Sequence, residues 1–264
     1  MDVYYETNKG LLRENNEDNL IVEETENYNL YAVADGMGGH NAGEIASTMA
    51  INVIKECFEN SVAHNDFKAP KFINDSIEAA NVKIRAESIE QDEYRGMGTT
   101  VTIAVVDISA KVAYIGNVGD SRAYILRNDE IIQITEDHTY VHQLVRERKI
   151  SEEEAKKHPK RNVITRALGI EENVLVDIFE IELLENDALL LCSDGLTTHL
   201  SDEQIFDTIK TFGCSKSVHK LIELSNDNGG TDNITLIIVN NNCRGDIIRS
   251  SIIVAQFNQF MNTF

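Results

Sequence analysis

Proline is nearly absent, with two in 264 residues, and no Pro-, Gly- or Ser-rich linker interrupts the chain. Domains separate at such linkers, so residues 1–240 read as one domain and 241–264 as a C-terminal tail. Cysteine is scarce too. Cys57, Cys192, Cys214 and Cys243 show no CxxC spacing, which suits free thiols in a reducing compartment. No apolar run is long enough to span a bilayer. The opening Met1-Asp-Val-Tyr-Tyr-Glu lacks the pattern of a signal peptide. The expected location is the cytoplasm, with no membrane partner. Positive charge is the last deficit: 24 basic residues stand against 44 acidic ones, a net charge of −20. Such a surface repels a phosphate backbone and excludes general nucleic-acid binding. It suits a site that concentrates divalent cations, although most of the charge reads as a solvated surface.

What is present is organised around Asn29-Leu-Tyr-Ala-Val-Ala-Asp35-Gly36-Met37-Gly38-Gly39-His40. The apolar run reads as a buried strand. It ends at a carboxylate, and the glycines behind it let backbone approach a small ligand. Asn41, with Glu44 three residues on, reads as the N-cap of a helix over Ala42 to about Ala63. A second helix is expected around Lys68–Glu90, with Pro70 tolerated in its first turn. Strands are expected at Val3–Asn8, Asn19–Glu23, Val101–Val106, Lys111–Val118, Ala123–Arg127, Glu130–Thr135, Ile178–Leu183, Ala188–Cys192 and from Ile234 onward. Val101–Val106 and Ile234–Val239 are apolar or uncharged at every position, so both faces of these strands should be covered. Helices are expected at Asp202–Phe212, with Ser201 as N-cap, and at Ser217–Ser225. Glu136–Gly169 reads as polar and helical and is the most basic part of the chain. In the tail, Ile248, Ile252, Phe257, Phe260 and Phe264 could line one helical side or belong to a flexible end.

Five aspartates share one setting: Asp18, Asp35, Asp120, Asp194 and Asp232 each lie at a strand end, and glycine is close to most of them. One such aspartate is an ordinary turn residue. Five spread over the whole chain point to convergence along a sheet edge. Carboxylates forced together raise one another's pKa unless cations neutralise them. Oxygen-only ligands select hard ions such as Mg²⁺ or Mn²⁺, and a pair of these ions can drive hydrolysis of a phosphate ester. Other phosphatase chemistries fit poorly. Only Cys243 has an arginine six residues on, Arg249, and no glycine-rich loop lies between them. An aspartyl-phosphate mechanism wants a second aspartate two residues after Asp35, where Met37 stands. HExxH, Walker and EF-hand patterns are missing.

Arg13-x-x-Asn16-Glu17-Asp18, Asp35-Gly36-Met-Gly-Gly39, Gly98-Thr-Thr100, Gly119-Asp-Ser-Arg122, Ser193-Asp-Gly195 and Gly230-Thr-Asp-Asn233 occur in order. Together they resemble the metal-dependent PPM (PP2C-type) serine/threonine protein phosphatases in their bacterial form. The resemblance implies an α+β fold, a four-layer α/β/β/α sandwich of two mostly antiparallel sheets flanked by helices. It implies two core Mn²⁺ or Mg²⁺ ions and a third, weaker one. Asp35 would bridge the core pair, with the Gly36 carbonyl, Asp194, Asp232 and Asp18 as further ligands and Asp120 serving the third ion. Glu17 and Asn233 would support these ligands from behind. Arg13 would clamp phosphate, since a guanidinium matches two phosphoryl oxygens at once. Residues 136–169 would be a flap contacting protein substrates, with Arg161 and Arg166 toward the phosphoprotein. Eukaryotic relatives carry a histidine at the position of Met37. The acid for the leaving group therefore stays open between His40, whose alternatives are a capping or surface role, and a metal-bound water. The implied partners are phosphorylated substrates of a bacterial Ser/Thr kinase, met by a monomer. Two alternatives are a phosphatase dedicated to one regulator, of the anti-anti-sigma type, and a catalytically silent binding module.

Overall fold

A computed structural model describes residues 1–39, 42–64 and 66–241. The chain runs β1 (Asp2–Asn8), β2 (Asp18–Glu24), β3 (Tyr28–Met37), α1 (Ala42–Ser61), α2 (Ala69–Glu90), β4 (Gly98–Thr99), β5 (Val101–Asp107), β6 (Val112–Val118), β7 (Arg122–Arg127) and β8 (Glu130–Gln133). It continues through α3 (Tyr140–Arg146), α4 (Glu152–Lys157), β9 (Asp177–Glu182), β10 (Ala188–Cys192), α5 (Asp194–Thr197), α6 (Asp202–Asp227) and β11 (Ile234–Asn240).

The strands form two sheets. One has the order β1-β11-β10-β7-β8; the other has β2-β3-β5-β6-β9, with the short β4 pairing against β3. Every pairing between these strands is antiparallel. Alternation along each strand divides the apolar side chains among three cores, because successive residues point to opposite faces. On β3, Leu30, Ala32 and Ala34 meet α1 and α2, which supply Ala46, Ile54, Phe58, Ile73, Ile77 and Ile84. Tyr31 and Val33 point the other way, toward Ile125, Leu189, Leu191 and Ile237 of the opposite sheet. On β11, Leu236 and Ile238 face Ile205, Leu221 and Ile222 of α6. Two sheets thus pack face to face, each with helices on its outer side, which is the four-layer sandwich expected.

Local signals explain the helix ends. Pro70 sits in the first turn of α2. Ser201 accepts from the Gln204 backbone N–H, and the Gln204 side chain accepts from the Ser201 N–H, a reciprocal cap on α6. The two helices expected between Asp202 and Ser225 are present within α6, separated by a kink at Gly213, whose φ of 73° lies outside helical geometry. Residues 136–169 are less helical than expected: only α3 and α4 form, and the rest is loop. No helix among the described residues is long and apolar enough to cross a membrane. Asn41 and the tail beyond Asn241 lie outside the described residues.

Candidate metal centre

Asp18 opens β2 and stands opposite Asp35 of β3 in the antiparallel register. Asp35 does not end its strand as expected. β3 continues through Met37, because β4 pairs Thr99 with Gly36 and Gly98 with Met37. This extra pairing fixes the Asp35 backbone from three directions. Its N–H donates to Thr100 Oγ1 at 3.0 Å. Its carbonyl accepts from the Thr100 N–H and from Thr99 Oγ1, both at 2.8 Å. Gly36 follows in a space no other residue could occupy: a Cβ there would lie 2.1 Å from the Gly43 carbonyl oxygen and 2.6 Å from that of Glu17.

The five-stranded sheet contributes from its own end. β10 stops at Cys192, and Asp194 opens the short helix α5 behind Ser193 instead of ending the strand. Ser193 Oγ donates to Asp18 Oδ2 at 2.7 Å and accepts from the Thr235 N–H at 3.0 Å, joining the two sheets through one hydroxyl. Asp232 lies just before β11. Beside it, Asn233 Oδ1 accepts from the Glu17 N–H at 2.8 Å. The same residue's Nδ2 donates to the carbonyls of Lys9 at 3.0 Å and Asn15 at 2.9 Å. One amide thus holds the loop that carries Arg13 and Glu17. Asp120 sits where the chain passes from β6 to β7, and so from one sheet to the other. Ser121 Oγ beside it is 2.8 Å from Thr100 Oγ1.

Arg13 Nη2 lies 2.8 Å from Asp232 Oδ1 and 2.9 Å from Oδ2, and Nη1 is 3.9 Å from Glu17 Oε2.

Burial dominates the electrostatics. It raises Asp18 to about 7, with Asp194 and Asp232 adding to the rise and the Ser193 and Thr235 hydroxyls opposing it. It raises Asp120 to about 8, helped by Asp194 and Asp137. Asp194 rises to about 6 through burial and Asp232, against a hydrogen bond with Asp35. Asp35, buried among Asp18, Asp194, Asp120 and Asp232, is pushed well above the usual carboxylate range. A cluster of this kind resists full ionisation at neutral pH unless positive charge enters it. Asp18 Oδ1 and Asp120 Oδ1 are buried without a hydrogen-bond partner, although buried polar atoms are as a rule satisfied. Oxygen-only donors with free lone pairs fit a hard divalent cation. Among the described residues, no group of three or more His, Cys, Asp or Glu side chains is gathered closely enough to hold a metal ion by itself. That is compatible with Mg²⁺- or Mn²⁺-type binding, in which one or two carboxylates share the ion with several waters.

Other expected site residues fall elsewhere. Arg166 Nη1 pairs with Asp177 Oδ1 at 2.7 Å and donates to the Leu175 carbonyl at 3.0 Å, so it ties the flap to β9. Asp177 Oδ2 in turn lies 3.0 Å from Nε2 of the buried His138. These three residues help line a concavity of about 240 Å³ at the flap base, which holds none of the five aspartates but borders Asp120 through Asp137 and His138. Arg161 is exposed beyond α4. His40 lies outside the described residues. The hydroxyls of Thr99, Thr100, Ser121 and Ser193 carry supporting bonds that the sequence reading did not assign. For the two serines the signal is a small hydroxyl residue next to an aspartate in the chain, as in Ser193-Asp194 and Asp120-Ser121; Thr99 and Thr100 reach Asp35 only through the β3–β4 pairing.

The family model described as Protein phosphatase 2C matches residues 13–243. The serine/threonine phosphatase stp of Listeria welshimeri is 38% identical over 245 residues, covering 92% of this chain and 96% of that protein. The solved serine/threonine phosphatase of S. agalactiae superposes with a TM-score of 0.83 at 35% identity, covering 90% of this chain and 98% of that one. The catalytic domain of the serine threonine protein phosphatase PstP, solved with two manganese ions, superposes with a TM-score of 0.78 at 35% identity, over 90% of this chain and 96% of that one.

Proposed function

The chain belongs to the protein phosphatase 2C family, and we infer that Asp18, Asp35, Asp120, Asp194 and Asp232 are the working centre of a metal-dependent serine/threonine protein phosphatase. One observation carries the assignment of the centre. Carboxylates from both sheets converge in a buried cluster that holds two unpartnered oxygens.

In this reading Asp18, Asp35, the Gly36 carbonyl, Asp194 and Asp232 hold two Mn²⁺ or Mg²⁺ ions, and Asp120 serves a third. Bound there, such ions would neutralise the carboxylates and supply an activated water and a Lewis acid for the phosphoryl group. The protein's own side chains do the rest. Arg13, now paired with Asp232, offers its fork to the phosphoryl oxygens of the incoming phosphoserine or phosphothreonine. Glu17 keeps Arg13 near that position, and Asn233 holds the loop beneath both. His40 is the side-chain candidate for protonating the leaving alkoxide. Arg161 and the flap meet the protein part of the substrate. The substrates are phosphoproteins of a Ser/Thr kinase, encountered in the cytoplasm by a monomer.

Hydrolysis of p-nitrophenyl phosphate and of a phosphothreonine peptide, with Mn²⁺ and then with EDTA, tests the reading. Metal-dependent release of phosphate from both is expected. A folded chain that releases none with Mn²⁺ would leave the centre a binding module.

A further inference from the structure

Asp232 stands on a loop whose glycine N–H groups bond back to the end of α6, Gly229 to the Asn226 carbonyl at 2.9 Å and Gly230 to that of Ser225 at 3.1 Å. Gly229 and Gly230 precede it by three and two residues, with φ of 131° and 53°, in the left-handed range that favours glycine. Neither carries a side chain to anchor the turn. On one side the Gly230 carbonyl accepts the N–H groups of Leu11 at 2.8 Å and Leu12 at 3.3 Å. On the other side stands one imidazole. Nε2 of His199 accepts the Thr231 N–H at 3.0 Å, and Thr231 Oγ1 lies 3.0 Å from the same nitrogen. The His199 carbonyl accepts from Asn228 Nδ2 at 3.1 Å. The ring also lies against Gly229, where a Cβ would be 3.5 Å from its Cε1. An amide N–H must find a lone pair, so Nε2 is unprotonated and the proton sits on Nδ1.

His199 follows directly on the short helix that Asp194 opens, while Thr231 immediately precedes Asp232. His199 therefore ties the two segments through which the five-stranded sheet delivers Asp194 and Asp232, with Nε2 and its carbonyl both accepting, beside the bonds between Ser193 and Thr235.

We propose that His199 is a positioning residue for the metal centre: by accepting the Thr231 N–H it fixes where Asp232 stands relative to Asp194, and with it the Arg13 fork. The proposal rests on the metal-centre reading above. Its chemical content is narrow. The position needs a hydrogen-bond acceptor at the reach of Nε2, and neither the charge nor the aromaticity of the ring is required. Partners that hydrogen-bond a metal ligand directly are worth about 10- to 100-fold in metal affinity; His199 acts one residue away, on the backbone of Thr231, so the low end of that range applies.

The experiment is calorimetric titration of Mn²⁺ into the wild-type chain, His199→Leu and His199→Gln, with each protein's metal-free melting temperature recorded alongside. The glutamine carbonyl reaches about as far as Nε2 and accepts; leucine cannot. Wild type is expected to take up Mn²⁺, His199→Leu to bind about 10-fold more weakly, and His199→Gln to stay close to wild type. The KM for p-nitrophenyl phosphate should rise in His199→Leu, because Arg13 shifts with Asp232, while kcat at saturating Mn²⁺ changes far less. Equal Mn²⁺ affinity in wild type and His199→Leu would overturn the proposal. So would a His199→Gln as weak as His199→Leu when the metal-free melts coincide. Absence of Mn²⁺ uptake by the folded wild-type chain would overturn the metal-centre reading itself, and this proposal with it.

Discussion

Arg13 and Asp232 stand 219 positions apart in sequence and meet through one nitrogen, with Nη2 at 2.8 and 2.9 Å from the two carboxylate oxygens. The pair is partly exposed: the arginine side chain is 46% accessible and the aspartate 30%. An exposed ion pair adds little stability, so the contact matters for where it holds the guanidinium. Arg13→Ala is expected to raise the KM for p-nitrophenyl phosphate about 10-fold or more while lowering kcat less, the pattern of lost phosphate binding. An unchanged KM would remove Arg13 from the clamp role.

Asp35 and Asp232 belong to the proposed metal centre. Asp35→Asn and Asp232→Asn are each expected to cut Mn²⁺-dependent turnover by at least about 100-fold, well over 2 kcal/mol of barrier. The fold should survive. Asp35 is a buried carboxyl crowded by four others, so its neutral amide replacement should melt no lower than wild type in EDTA at alkaline pH. Substantial activity in either variant would refute the assignment.

The metal-free chain should lose stability as pH rises. Asp18, Asp35, Asp120 and Asp194 have folded-state pKa values raised above that of an unfolded aspartate, near 3.9. For Asp18, Asp120 and Asp194 the stabilising contribution is complete below about pH 3.9 and is lost as pH climbs through their folded values of about 6 to 8; Asp35 acts in the same direction. In EDTA, the melting temperature is expected to fall between about pH 5.5 and pH 8.5. A loss of about 2 kcal/mol would appear as roughly 4–8 °C in a chain this size. Mn²⁺ at the higher pH should restore it, since the ions supply the missing counter-charge. A flat profile in EDTA would contradict the raised values.

Gly36→Ala tests the close approach at the ligand strand. The added methyl would meet backbone oxygens of Gly43 at 2.1 Å and Glu17 at 2.6 Å, atoms that cannot swing away. A loss of about 3 kcal/mol is expected in urea unfolding, together with weaker Mn²⁺ uptake, because Asp35 is the adjoining residue.

Arg166 ties the flap down through Asp177, and through Asp177 it is linked to His138. Arg166→Ala should therefore speed tryptic cleavage within residues 136–169 severalfold. A raised KM for p-nitrophenyl phosphate with unaltered proteolysis would instead make it a substrate-binding arginine.

The layered sandwich was legible because strands such as Val101–Val106 and Ile234–Val239 are apolar on both faces, which only a sheet covered on both sides can accommodate. The aspartates were legible through their shared position beside strands and glycines. Non-local features were hidden. Nothing near Asp35 announces that β4 prolongs its strand, because Gly98 and Thr99 lie more than a helical hairpin away. Ser193 reads as an ordinary residue until Asp18 is found 2.7 Å from its hydroxyl. Residues 136–169 misled for a local reason: the charge spacing permits helix, but few apolar residues are available to bury one, and only α3 and α4 form. The two helical stretches of α6 were legible from their apolar patterns, while the backbone turn at Gly213 that separates them was not.

The pairing of β1 with β11 bears on when the molecule can first act. The first strand lies along the last, with Asp2 opposite Asn240 and Asn8 opposite Ile234. β11 also separates β1 from β10 in the sheet order. A growing polypeptide on the ribosome therefore holds β1 without its neighbour until nearly the whole domain has been translated. Asp232 arrives on that same final stretch. A product that stops short of that stretch would lack both the strand that pairs with β1 and, in the proposed metal centre, Asp232.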